Sequence, residues 1–407
     1  SAAAPASAEP LTLEAAQELA RERNETWAIV RARVDQSRAL LAGAESALWP
    51  TARVDASITR NPEEVLIGDR VIQPLFNWTA SGTAGVVLFD GTLYPAIDAA
   101  RADVAALEAD AAWRARLVEL EVANAWYALA AAQAQVELVD AFLELRREDV
   151  TRAEKLVAAD RGVPLDVARA EADLLTTQQR RIEAVAARDD AADALAVLVA
   201  EPADGTLRAA DAPAALAAPA QLADPGDLAA REDLAAAERA IASARLAEEA
   251  QAWAWWPTLG LSANALVGPP TLTRPNGFFW SVTLNTSWLL YDGGARLARE
   301  DALSARTREL ELDLALRTRQ ERAAITRAAR AFGVAVDSAA VLDAREANAA
   351  RALELARARF SAGLASSLEV RDATAELLDV RSARLANRLR VHLARNQHDL
   401  LVGPKAR

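Results

Sequence analysis

The chain has 407 residues, 52% of them hydrophobic but only 5% aromatic, with a formal charge of -12 and neither cysteine nor methionine. Ala and Leu supply most of the apolarity, which is the composition of long helices, and the acidic balance excludes a nucleic-acid surface, which would need basic stripes. Asp, Glu or Arg interrupts every candidate apolar run of about 18 residues, so any membrane crossing must use strands.

Ser1-Ala2-Ala3-Ala4-Pro5 resembles the small-residue stretch left by signal-peptide removal, and the lack of cysteine suits an oxidising compartment. Residues 1–10 are therefore read as a processed tail on a secreted chain. A first helix is expected from Leu11 to Leu48, capped near Thr12 and stopped by Pro50. Two strands follow at 51–60 and 76–89, joined by a loop holding Pro62, Gly68 and Pro74. A long helix then runs from Thr92 to Ala159, with Pro95 in its first turn, where proline is tolerated. Gly162 and Pro164 turn the chain into a second helix ending near Val199.

Residues 201–226 carry Pro202, Gly205, Pro213, Pro219, Pro225 and Gly226 and read as a linker. The pattern then repeats. A helix from Asp227 stops at Pro257, strands fall at 258–267 and 278–290, a long helix covers 295–361, and a last one covers 366–402, before a tail at 403–407. Trp49-Pro50-Thr51 opens the first pair of strands and Phe89-Asp90-Gly91 closes it; Trp256-Pro257-Thr258 and Tyr291-Asp292-Gly293 do the same for the second. Gly91 and Gly162 stand as far apart as Gly293 and Gly363 to within one residue. A duplicated unit of about 200 residues is too long for a solenoid repeat and implies two equivalent halves, 11–200 and 227–402.

Within the second long helix, steps of three and four from Leu303 reach Leu310, Leu314, Ala324, Ala328, Phe332, Ala335, Ala339, Leu342, Ala349, Leu353, Ala356 and Phe360. Thr307, Arg317, Glu321 and Glu346 are the exceptions. This is a heptad seam with one stutter, on a helix of about 100 Å at 1.5 Å per residue, so an elongated architecture is expected.

The strands alternate. Trp280, Val282, Leu284, Thr286, Trp288 and Leu290 share one face, and Ser281, Thr283, Asn285 and Ser287 the other; Trp78, Ala80, Ala84, Val86 and Leu88 repeat the pattern. Trp280 and Trp288 stand about 26 Å apart at roughly 3.3 Å per residue, and Trp78, Trp280 and Trp288 read as the aromatic belt of a membrane barrel. Most Trp, Tyr and Phe residues cluster at 49–94 and 253–291. Four strands cannot close a barrel, and an open edge in lipid leaves backbone groups unsatisfied. Two copies would give eight strands and a filled interior; three give twelve and a passage. A homotrimer is the smallest conducting solution.

These features resemble the TolC family of outer-membrane efflux and secretion channels over nearly the whole chain after residue 10. The most specific match is the segment Arg359-Phe360-Ser361-Ala362-Gly363-Leu364-Ala365-Ser366-Ser367-Leu368-Glu369-Val370-Arg371-Asp372-Ala373. The resemblance implies a mainly α fold with a trimeric 12-stranded membrane β-barrel on a coiled-coil tunnel. It also implies a periplasmic adaptor and an inner-membrane pump as partners, outer-membrane lipid around the barrel, and no cofactor. Glu369 and Asp372 fall on acidic positions of the family and would form carboxylate rings at the pore constriction, favouring cations; Asp166 is the counterpart offered by the first half. Gly162, Val163, Pro164, Leu165, Gly363, Leu364, Ala365 and Ser366 would be the helical tips that meet the adaptor. The family's archetype latches its closed end with an aromatic hydroxyl and an arginine, where this chain has Phe360 and Ala365, so a leakier closed state is expected.

His392 and His398 lie about 240° apart around one helix and suit no shared metal ion. Asp292-Gly293-Gly294 reads as a tight strand-to-helix exit, since no phosphate-loop spacing follows. With no Ser/His/Asp or Cys/His set, an enzyme is not expected. The competing reading is a soluble coiled-coil scaffold with a small sheet buried at a dimer interface.

Overall fold

A computed structural model describes residues 10–68, 70–160, 162–217, 221–222, 231–270 and 276–402. In chain order the elements are α1 (Leu13–Arg23), α2 (Glu25–Ser46), β1 (Thr51–Arg60), β2 (Val65–Ile67), β3 (Arg70–Gln73), β4 (Phe76–Phe89), α3 (Leu93–Ala158) and α4 (Pro164–Leu198). They continue with α5 (Ala212–Ala217), α6 (Glu232–Trp253), β5 (Thr258–Val267), β6 (Phe278–Ser287), α7 (Ala295–Ser361) and α8 (Ser367–Val402). The chain divides into two compact units. One takes in the chain up to Arg31, Ala111–Arg231 and everything from Arg317; the other holds Ala32–Asp110 and Glu232–Leu316. Each unit draws on both halves of the repeat.

The first unit is helical. Thr12 caps α1, its hydroxyl accepting from the Ala15 N–H at 3.2 Å. The single helix expected over 11–48 is interrupted at Asn24, whose backbone is extended. The Asn24 side chain explains the break: its oxygen accepts from Thr26 N–H at 2.9 Å to start α2, and its amide donates to the Leu198 carbonyl at 2.8 Å. Asparagine does this because its short amide competes with the helical ladder. Ala16 and Ala20 of α1 pack on Val122, Trp126 and Leu129 of α3 and on Ala192, Leu195 and Ala196 of α4.

The segment expected to be a bare linker joins this core. Leu207, Ala209, Ala212 and Leu216 are buried in it, Leu11 bridges Ala209, and Trp126 Nε1 donates to the Leu11 carbonyl at 2.8 Å. Prolines 202 and 213 flank these positions without preventing burial; Pro219, Pro225 and Gly226 lie outside the described residues.

The heptad seam of α7 holds within this unit. Ala328, Ala335, Ala349, Leu353 and Ala356 are buried, and the last three join Phe142 of α3 with Val370, Leu377 and Leu378 of α8 in a second core. Small residues on the seam let helices approach closely. Two of the seam's exceptions are acids held by arginines. Glu346 accepts from Arg381 at 3.0 Å and Arg384 at 2.7 Å. Glu321 accepts at 2.9 Å from Arg231, which is 0% exposed, lies over the Trp113 ring and also reaches the Leu401 carbonyl.

Among the described residues, the second unit carries all six strands. The sheet order is β1-β4-β5-β6, antiparallel throughout. The loop between β1 and β4 contains a hairpin, β2–β3, that the reading of it as turn residues missed. The last strand stops at Ser287, short of the expected 290. Asp292 then makes the tight exit into α7: its carboxylate accepts from the N–H groups of Gly294 and Arg296 and from the Arg296 guanidinium.

Candidate functional site: an uncovered sheet and a charged helix reversal

Register turns the alternation of single strands into two continuous faces. Trp280 stands opposite Ala265, Ala265 opposite Gly82, and Gly82 opposite Val54. The next row of the same face is Val282, Ala263, Ala84 and Ala52, and the one after holds Leu284, Leu261 and Val86. The reverse face is mostly polar: Ser281, Asn264, Thr83 and Arg53 form one row, and Asp55 and Ser81 lead the next, which ends in Leu266 and Phe279. Arg53 pairs with Asp55 at 2.8 Å and Asn285 donates to Ser262 at 2.9 Å on that side.

The apolar face is uncovered. Trp280, Val282 and Leu284 are 66%, 58% and 63% exposed, and every residue of β1 is exposed. Strands β1 and β6 are the edges of this four-stranded sheet. A sheet in water packs its apolar face on a core; a sheet in lipid turns that face outward.

The expected belt residues Trp78 and Trp280 lie on the apolar face and are exposed. Trp288 falls just beyond β6, exposed, with its Nε1 donating to the Trp255 carbonyl at 3.0 Å. Sequence reasoning missed the rest of that rim: Trp49, Trp255, Trp256 and Tyr291 are exposed as well. The signal was present, because the Trp-Pro pairs stand at the strand starts. They served only as markers of the repeat. No helix among the described residues is long and apolar enough to cross a membrane.

The second region is the pair of helix reversals, both within the helical unit. Gly363 takes a left-handed φ of 73° after α7, and the Leu364 N–H reaches back to the Arg359 carbonyl at 2.8 Å. This is a glycine helix stop. After α3 the left-handed position is Asp160, not Gly162. A side chain at Gly162 would instead meet the backbone of Leu156 and Val157. Pro164 begins α4. Val163, Leu165, Leu364 and Ser366 are exposed, while Ala365 is half-buried.

The three acidic candidates differ. Asp166 accepts the Ser367 hydroxyl at 2.8 Å, which joins the two reversals. Glu369 lies 3.7 Å from Arg359 and Asp372 lies 3.9 Å from Arg371, both largely exposed. Asp166, Asp173 and Arg180 recur every seven residues on α4 and meet Ser367, Arg371 and Asp379 of α8 in turn. Phe360 packs against the second core and brings no hydroxyl. His392 and His398 are both buried; His392 stacks on Tyr127 at 4.3 Å. No group of three metal-ligating side chains occurs among the described residues.

An uncovered apolar sheet face, carried on the same chain as heptad-patterned helices with charged reversals, is the pattern of a β-barrel membrane protein with a large aqueous helical part. The chain belongs to the outer membrane efflux protein family, whose sequence profile matches residues 16–201 and 227–403. It is thus an outer-membrane efflux channel with a periplasmic helical tunnel, and the break in the match coincides with the boundary between the repeats. Among solved structures it resembles CusC, described as a transmembrane channel, with 18% identity and a TM-score of 0.83 over 96% of this chain and 92% of that one. It also resembles the outer membrane protein VceC of Vibrio cholerae, with 20% identity and a TM-score of 0.81 over 97% and 96%. The open state of the Neisseria gonorrhoeae MtrE outer membrane channel matches with 20% identity and a TM-score of 0.78 over 96% and 89%. Comparison with curated protein sequences finds no significant match.

Proposed function

We propose that three copies of this chain close one twelve-stranded barrel and one helical duct, forming the exit of an efflux or type I secretion assembly. One observation carries the reading: an uncovered apolar face on a sheet whose β1 and β6 edges are both open. Each edge left unpaired in lipid costs several kcal/mol per backbone group, so β1 of one copy pairs with β6 of the next. Twelve strands leave a lumen that eight would fill. The polar face bearing Arg53 and Asp55 lines it.

In this assembly the reversals at Gly162–Leu165 and Gly363–Ser366 meet a periplasmic adaptor, and an inner-membrane pump supplies the substrate. Exposed Val163, Leu165 and Leu364 support that role. Glu369 and Asp372, largely exposed beside single arginines, form the acidic rings at the constriction. Asp166 contributes through its hydrogen bond to Ser367, tying α4 to α8. The chain carries transport without chemistry of its own.

The chain has no native thiol to interfere, so paired cysteines test the closure. Ser57→Cys on β1, combined in turn with Ser281→Cys and Thr283→Cys on β6, is expected to give covalent dimers and trimers on non-reducing gels from outer membranes. Absence of a ladder in every pairing overturns the assembly. Photo-crosslinkers at Val163 and Leu364 are expected to capture a periplasmic adaptor subunit; adaptor crosslinks confined to the strand loops contradict the docking site.

A further inference from the structure

At the reversal end of the helical unit lies a cavity of about 130 Å³ walled by α3, α4, α7 and α8. Arg146, Arg152, Arg169 and Arg371 line it, against Asp149, Asp166 and Asp173. Arg146 and Arg371 meet these acids only at ion-pair distance. Arg146 is only 7% exposed, yet reaches Asp149 at 3.6 Å and Asp173 at 3.9 Å, beyond hydrogen-bond range, and makes no hydrogen bond among the described residues. Arg371 stands 3.5 Å from Asp173 without a hydrogen bond, and Arg169 has no ion-pair partner among the described residues. Only Arg152 hydrogen-bonds a carboxylate, Asp149, at 3.2 Å.

The acids are also partly committed. Asp166 takes the Ser367 hydroxyl. Burial pushes the Asp149 carboxyl above its ordinary range, despite the opposing pull of Arg152, Arg146 and Arg357. A guanidinium held only at ion-pair distance keeps donors free, and one facing a carboxylate squarely forms the short, charge-assisted pairs that arginine favours. The rest of the wall is apolar, with Leu156, Phe360, Leu368 and Val370. At about 130 Å³ it is slightly smaller than the apolar cavity of about 150 Å³ that holds a benzene ring, so the charged end of a benzoate must sit at the open side.

We infer that this cavity is a binding site for a small organic carboxylate, its anionic end held by Arg146, Arg169 and Arg371 and its apolar body against Phe360 and Leu368. All the residues that line it belong to one chain. A bound carboxylate touches α3, α4, α7 and α8 together, at the end of the chain where the reversals lie. It is thus placed to set their spacing.

Isothermal titration of sodium benzoate into the full-length protein in nonionic detergent tests this. The expected result is saturable binding of one benzoate per chain, with acetate and benzyl alcohol each at least about tenfold weaker, since one lacks the apolar body and the other the charge. Arg169→Gln, at an exposed position, is expected to retain the wild-type melting temperature and weaken benzoate about tenfold; Arg146→Gln should weaken it further. Absence of saturable benzoate binding overturns the site. So does undiminished binding in Arg169→Gln, or benzyl alcohol binding as tightly as benzoate.

Discussion

Arginine placed on the apolar face of β6 measures what that face touches. Val282 is 58% exposed in the single chain and stands in the row of Ala263, Ala84 and Ala52. In water, a substitution at so exposed a position changes stability by no more than about 0.5 kcal/mol. On the lipid face of a barrel, arginine near the midplane costs about 2–4 kcal/mol, roughly a 30- to 700-fold change in the folding equilibrium at 1.4 kcal/mol per decade. The neighbouring Ser281 faces the opposite way, in the row of Asn264, Thr83 and Arg53. Urea titration of Val282→Arg and Ser281→Arg in lipid vesicles, with the barrel followed by tryptophan fluorescence, is therefore expected to separate the two by at least about 2 kcal/mol. Equal costs for both would refute the assignment of faces.

Stability of the helical unit is expected to fall as pH drops below about 6.5. Burial holds the His392 imidazole below its ordinary range, against the backbone hydrogen bond to Leu216 that raises it. A depressed histidine contributes stability above its unfolded pKa and loses it as protonation sets in; thermal melts from pH 8 to 5 should show a shallower slope in His392→Phe. Glu321→Gln takes the carboxylate from buried Arg231 and is expected to cost about 2 kcal/mol, below the 3–5 of a fully isolated buried charge, because Trp113 and the Leu401 carbonyl remain; denaturant melts read this. Gly363→Ala, with open space for its methyl but a left-handed φ, is expected to cost about 1–2 kcal/mol, whereas Gly43→Ala inside α2, equally unobstructed, gains about 0.5–1 kcal/mol. Phe360→Tyr combined with Ala365→Arg adds the hydroxyl and the guanidinium that the family resemblance would place at a latch, and is expected to lower planar-bilayer conductance below that of the wild type.

Strands β1, β4, β5 and most of β6 were legible because period-two alternation is bounded by Pro50, Gly91, Pro257 and Gly293. The long helices were legible because only Pro and Gly interrupt their heptads. Asn24 escaped notice because one polar residue inside an amphipathic run looks like a solvated face; its capping role depends on Thr26 and on Leu198, far along the chain. The β2–β3 hairpin was hidden by Pro62 and Pro74, although the apolar runs Val65-Leu66-Ile67 and Val71-Ile72 stand close on either side of Gly68. Burial of Leu207 and Leu216 could not be read past the prolines around them. Charge positions at the reversals were legible as residue types alone. That Asp166 turns to Ser367, and that Arg146 is buried facing a cavity, requires α3, α4 and α8 to be brought together from distant parts of the chain.

In the proposed assembly this chain supplies one third of a wall that two further copies complete. Native mass spectrometry of the particle extracted from outer membranes tests it most directly. The expected mass is three times that of the single chain measured under denaturing conditions, with no stable species released when detergent is removed. A folded monomer persisting in detergent-free buffer would contradict it.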